Sequence, residues 1–159
     1  MRFHVDELAG MVGRDLPVSD WLIVDQDRID RFADAIGDHQ WIHVDVERAS
    51  AGPFGAPIAH GYLTLSLLSI FLDPALDFGG VAMRVNYGFD RVRFPAPVPV
   101  NSRIRAHVAV ESVDETHQGV RVALRCVLEI EGSEKPACVA HPLALLVRAD
   151  AAPAGEAAP

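Results

Sequence analysis

The apolar positions of this 159-residue chain follow a helical period in its first half and a strand-like one in its second. Ile29, Phe32, Ala33 and Ile36 recur at i, i+3, i+4 and i+7, which predicts an amphipathic helix. Asp25 or Asp27 can cap its start, and Gly37 stands where a left-handed residue closes a helix. A short helix is expected over Val5–Met11, ending near Gly13, and a further turn from an Asp45 cap to Gly52. Gly61–Leu72 is apolar nearly all round, the mark of a buried helix, and Asp73-Pro74 is expected to stop it. Its polar residues Tyr62, Ser66 and Ser69 fall within an arc of ~60° at 100° per residue, so they share one face.

From Val81 onward the pattern becomes Val- and Arg-rich with partial alternation. It predicts strands over Val81–Phe94, Ser102–Val113, Gly119–Glu131 and Ala137–Val147, with a short one at Trp21–Val24. Antiparallel strands after a central apolar helix indicate an α+β domain, a curved sheet wrapped around that helix. One domain over residues 1–148 accounts for the length, and the Ala/Pro/Gly-rich residues 149–159 read as a disordered tail.

Composition narrows the function. A net charge of −8 without a Lys/Arg cluster disfavours nucleic acid and anionic membrane surfaces as partners. The longest apolar runs fall short of the ~18 residues of a membrane span. The first residues, MRFHVDELAG, meet charge too early for a secretory leader. With only two cysteines, Cys126 and Cys138, and no CxxC pair, a cytoplasmic protein with reduced thiols is expected. The two could face each other across a hairpin as small buried hydrophobes.

Two segments carry candidate chemistry. In GDHQWIH (Gly37–His43), Asp38 and His43 stand five positions apart in backbone expected to be irregular, a carboxylate and an imidazole suited to proton transfer near neutral pH. In PIAHGYLTLSLLS (Pro57–Ser69), a His60-Gly61 pair opens the apolar helix, where free backbone N–H groups could hold an oxyanion. Together they suit the addition or removal of water beside an activated carbonyl. Asn86 and Tyr87, in mid-strand, could line an acyl tunnel. His39 reads as solvated, and His4, His107, His117 and His141 show no partner spacing. A metal site from His39, His43, Asp45 and His60 would match no standard ligand spacing, and no metal is expected.

At these residues the chain resembles the MaoC-like dehydratases, which include the (R)-specific enoyl-CoA hydratases. The pattern is Gly37-Asp38…His43, then Phe54-Gly55-Ala56-Pro57-Ile58-Ala59-His60-Gly61-Tyr62-Leu63, with the RFPAPVPV stretch at Arg93–Val100. The resemblance implies a hotdog fold, a homodimer, and interconversion of trans-2-enoyl-CoA and (R)-3-hydroxyacyl-CoA in fatty-acid metabolism. It implies no cofactor beyond the coenzyme A of the substrate. It makes Asp38 and His43 the catalytic pair and Gly61 N–H the donor to the thioester carbonyl. Ser69 would support the His-bearing loop, and Tyr62, Asn86 and Tyr87 would bind substrate. Where many members carry Asn-Pro, this chain has Gln40-Trp41, as in the nodulation-protein-N-like subgroup, which points to a different acyl-pocket shape. Two competing readings are a hotdog acyl-CoA thioesterase and a non-catalytic acyl-CoA-binding subunit. The first needs a helix carboxylate that Gly61–Leu72 lacks, and the second predicts a degraded Asp–His pair.

Overall fold

A computed structural model describes residues 4–149; the expected tail, from residue 150 on, lies outside them. Five strands, β1 (Leu22–Val24), β2 (Val81–Arg93), β3 (Ser102–Thr116), β4 (Gly119–Ile130) and β5 (Cys138–Arg148), form one antiparallel sheet in the order β1-β3-β4-β5-β2. Their ends fall within a few residues of those expected, because the Gly- and Pro-rich turns set them. The helices are α1 (Gln26–Ile36), α2 (Trp41–Val44), α3 (Val46–Ser50), α4 (Gly61–Ser66) and α5 (Leu68–Ala75), preceded by a 3-10 turn over Val5–Met11. Among the described residues no helix is long and apolar enough to cross a membrane.

The core lies between the α4–α5 helix pair and one face of the sheet. Leu63, Leu67, Leu68 and Phe71 meet Ile104, Val108, Val122, Leu124, Leu128 and Leu146, all nearly free of solvent contact. The opposite face of β3 and β4 carries the charges of the alternating pattern. There Glu129 takes Arg105 and His107, Glu131 takes Arg103, and both arginines lie over Trp21. Beyond β1 the N-terminal arm covers the same edge of β3, with Gly13, Leu16 and Ser19 N–H donating to the carbonyls of Val110, Val108 and Ala106. At the other edge, β2 is irregular at three places in its pairing with β5 and keeps most of its side chains exposed.

The central helix differs from expectation in two ways. It is broken at Leu67, where Ser66 Oγ donates to the Tyr62 carbonyl and competes with the helical ladder. The restart at Leu68 places Pro74 in the last turn, so α5 runs through Asp73-Pro74 to Ala75 instead of stopping there. Nor is the helix buried all round: Tyr62, Ser66, Ser69 and Ile70 are exposed, because the sheet covers one side only. Cys126 and Cys138 are free and buried, offset by two residues across β4–β5, since Cys126 pairs with Ala140 and Cys138 with Leu128. Burial pushes their thiols up to about 12 and about 11.

Gly119, at the β3–β4 turn, has φ +143°, and a Cβ there would lie 2.2 Å from the Leu146 carbonyl oxygen of β5. Gly132 also has positive φ, +76°, but a Cβ would meet nothing within 4 Å. Gly119→Ala should therefore cost at least about 3 kcal/mol, combining backbone strain and overlap with an immovable carbonyl. Gly132→Ala should cost about 1–2 kcal/mol from strain alone. Urea unfolding of the two variants checks this, and equal losses would contradict the contact account.

Candidate active site

The site is assembled from the end of α1, the single-turn helix α2, and residues 57–61. Asp25 caps α1 by accepting from Arg28 N–H at 2.9 Å, and Gly37 closes it with φ 76° and an N–H bond to Ala33 O of 2.8 Å. Asp38 follows that fixed end. Its Oδ1 accepts from Gln40 N–H at 3.3 Å, and its side chain is otherwise exposed. His43 does not lie in irregular backbone: His43 N–H donates to Gln40 O at 2.9 Å and Asp45 N–H to Trp41 O at 3.1 Å, closing the turn of α2. Asp45 then caps α3 through Arg48 N–H. Trp41 turns toward α3, with the Arg48 guanidinium 4.4 Å from its ring and Gly52 packed against it. In place of Asn-Pro, Gln40-Trp41 thus shapes the α2–α3 pair.

Residues 57–60 are bonded on both sides. Ala59 N–H donates to Val98 O and Val100 N–H to Pro57 O, both at 2.8 Å, while Ile58 N–H donates to Ile42 O at 3.0 Å. His43 Nδ1 meets Ile58 O at 2.6 Å. A carbonyl only accepts, so Nδ1 carries the proton and Nε2 is left with the lone pair. Gln26 of α1 holds α2 from beneath, its Nε2 donating to His43 O at 2.8 Å. His43 is 6% exposed, and burial holds its imidazole below the usual 6.5, against smaller upward pulls from the Ile58 bond and the Asp38 charge.

His60 completes the cluster. Its ring stacks on His43 with centroids 3.7 Å apart and 26° between planes, and its Nε2 donates to Asp38 O at 2.9 Å. One donor atom each from Asp38, His43 and His60 lie within 4.8 Å of one another. As a cation site this set is poorly shaped. A metal sits in the plane of each imidazole it binds, and two stacked rings share no such point near their nitrogens. The disfavoured set of His39, His43, Asp45 and His60 has two of its members otherwise engaged: His39 pairs with Asp34 at 2.8 Å and Asp45 serves as a helix cap. Gly61 opens α4, where its N–H has no acceptor within the helix, and a Cβ on it would stand 3.3 Å from the Phe94 ring.

The structure thus brings Asp38, His43 and Gly61 to one place. Ser69 and Asn86 lie apart from them, lining a cavity of about 390 Å³ with Leu65, Leu72, Phe89 and Leu143. Tyr62 and Tyr87, 72% and 59% exposed, do not line it. A larger cavity of about 480 Å³, between the N-terminal arm and the end of α5, includes none of the expected site residues. Sequence reasoning missed Gln26 and the Ile58 carbonyl, since a helix-start glutamine and a backbone oxygen carry no motif. It missed the His60–His43 stack although both residues stood in the motifs.

Comparison with known proteins gives the family and the fold. Residues 7–130 match the family model described as a MaoC like domain. The 3-hydroxyacyl-thioester dehydratase Z of Mycobacterium tuberculosis is 49% identical over 138 residues, covering 86% of this chain and 91% of that protein. Nodulation protein N of Rhizobium meliloti is 40% identical over 149 residues, covering 89% of each. The fold is that of the (R)-hydratase from A. caviae, with a TM-score of 0.71 at 24% identity over 85% of this chain and 96% of that one. It is also that of the MaoC-like dehydratase from Rhodospirillum rubrum, with a TM-score of 0.70 at 18% identity over 92% and 98%. The chain belongs to the MaoC-like dehydratase family, and as an enzyme it is a hydro-lyase, a hydratase/dehydratase on a hotdog fold.

Proposed function

We propose that the protein interconverts trans-2-enoyl-CoA and (R)-3-hydroxyacyl-CoA, with Asp38 and His43 as the reacting pair and no cofactor beyond the coenzyme A of the substrate. The observation that carries this reading is the 2.6 Å bond from His43 Nδ1 to Ile58 O, which leaves Nε2 as an unprotonated base beside the Asp38 carboxylate. In hydration, Nε2 takes a proton from water as the water oxygen bonds C3 of the enoyl group. The C2–C3 π electrons move toward the thioester oxygen, where the Gly61 N–H opposes the developing charge. The imidazolium then returns its proton to C2 and the carbonyl re-forms, while Asp38 holds the second hydrogen of the water and stabilises the imidazolium. Dehydration is the reverse. With every group on one side of the double bond, water and proton add to the same face. The names of the relatives, a 3-hydroxyacyl-thioester dehydratase and an (R)-hydratase, support the substrate and its hand. A hydrolytic reading would use a helix carboxylate. On the central α4–α5 pair the carboxylate present, Asp73, is bound to the Arg84 guanidinium.

Asp38→Asn and His43→Ala should each lower kcat by at least about 10²-fold while leaving the protein folded. The double variant should be little worse than either, because each loss disables the same unit. Turnover of crotonyl-CoA and longer 2-enoyl-CoAs with chiral analysis of the product checks both points. Near-parental rates in a folded single variant, or an (S) product, would sink the assignment.

The lowered His43 value has a sign. The base works as neutral imidazole, so kcat/KM should hold down to pH 6.5 and fall only below it, where His43 takes up its proton. The unfolded chain protonates this histidine first, so the same burial makes stability decline as pH drops from about 6.5 through the lowered folded value. A pH–rate profile with its acid limb centred above 6.5 would contradict this role.

The same reading includes a second copy of the chain. The β2 edge and the exposed apolar side chains Tyr62, Ile70, Met83, Val85 and Tyr87 fit cover by a two-fold partner, which would place the cavity holding Ser69 and Asn86 at the interface. Light scattering at assay concentration should give twice the 17.2 kDa chain mass. A fully active monomer would overturn it.

A further inference from the structure

His60 takes no part in the hydration scheme, yet at 2% exposure it is the most buried polar side chain among the described residues. Its bonds run in two directions. On the backbone side, its carbonyl accepts from Thr64 N–H at 3.0 Å and Thr64 Oγ1 at 3.2 Å, which ties it into the first turn of α4, where Gly61 stands. On the side-chain side, Nε2 donates to the Asp38 carbonyl at 2.9 Å. The ring stacks on His43 at 3.7 Å and packs against Phe32 at 5.3 Å, tilted by 57°. With the proton on Nε2, the remaining nitrogen, Nδ1, is buried without a partner.

That last atom is informative. A buried lone pair with no donor is unfavourable, and a phenyl ring would fill the same space without it. Packing alone therefore does not account for an imidazole here. The Nε2–H bond to the Asp38 carbonyl does, because only a donor at that place fixes the backbone from which the Asp38 carboxylate projects.

We propose that His60 is a positioning residue for the hydration step: its Nε2–H holds the Asp38 carbonyl and its ring sets the plane of His43, so that one side chain registers the acid–base pair against the Gly61 N–H beside it. The inference rests on the reading of Asp38 and His43 as the reacting pair. It acts through geometry that matters at the transition state more than in substrate binding, so its loss falls on kcat.

Two variants separate the contributions. His60→Phe keeps an aromatic ring and removes the donor. His60→Gln removes the ring but can place an amide N–H where Nε2 stood. His60→Phe should melt within about 5 °C of the parent. Its kcat should fall about 10–100-fold with KM within about 3-fold. His60→Gln should recover at least about 5-fold of that loss, because it restores the donor. A His60→Phe enzyme with at least half the parental kcat, equal impairment of both variants, or a loss confined to KM would overturn the proposal. Should His60→Phe fail to fold, imidazole nitrogen NMR of the parent decides: a single Nε2–H tautomer at His60 is required, and an Nδ1–H tautomer refutes it. Asp38→Asn and His43→Ala, assayed alongside, keep the two readings apart. If they retain turnover, the reacting pair is wrong; if they are inactive while His60→Phe is not, only the role of His60 fails.

Discussion

One backbone carbonyl organises the site. Ile58 O accepts a hydrogen bond from His43 Nδ1–H, which fixes the tautomer and leaves the lone pair on Nε2. The adjacent Ile58 N–H donates to Ile42 O, so α2 and the linker grip each other through two bonds between neighbouring residues. The linker is placed in turn by Val98 and Val100, so the Pro-rich segment between β2 and β3 helps to align His43 through the linker. Strands, linker and single-turn helix are therefore joined by backbone hydrogen bonds into one frame around His43.

Much of this was legible in the chain. The α1 period, the Asp25 cap, the left-handed Gly37 and the strand boundaries followed from local rules, because capping and turn chemistry act over a few residues and need no tertiary context. What escaped was everything requiring a partner distant in sequence. His107 and His141 looked unpaired along the chain, yet cross-strand register brings Glu129 to one and Glu111 to the other. The break at Leu67 was invisible because Ser66 is an ordinary residue inside an apolar run, and only its hydroxyl bond to Tyr62 reveals the competition. At the site, the motif spacing singled out Asp38 and His43 but not the means of holding them. The Gln26 amide, the Ile58 carbonyl and the His60 stack lie 17, 15 and 17 positions from His43, or 22 from Asp38 in the case of His60's bond.

Burial and the Ile58 hydrogen bond pull against each other at His43. Removing the imidazole from water disfavours its cation, as does the neighbouring His60, while the bond to Ile58 O and, to a smaller extent, the Asp38 charge favour it. Burial prevails, so the ring rests neutral, and the Ile58 bond is the main influence that limits how far it is pushed. Exposure of the Asp38 carboxylate is part of the same balance, because a carboxylate that shared the burial of His43 would itself need an ion partner.

The sheet interior that positions the helix also has a chemical property of its own. Its two thiols, Cys126 and Cys138, are held near 12 and 11 by burial, so at neutral pH almost no thiolate exists at either. A thioester is vulnerable to attack by thiolates, which would move the acyl group from its carrier onto the protein. On the thioester chemistry proposed above, keeping both cysteines protonated and buried would spare the protein from acylating itself, and the β4–β5 pairing that packs the core supplies that inertness.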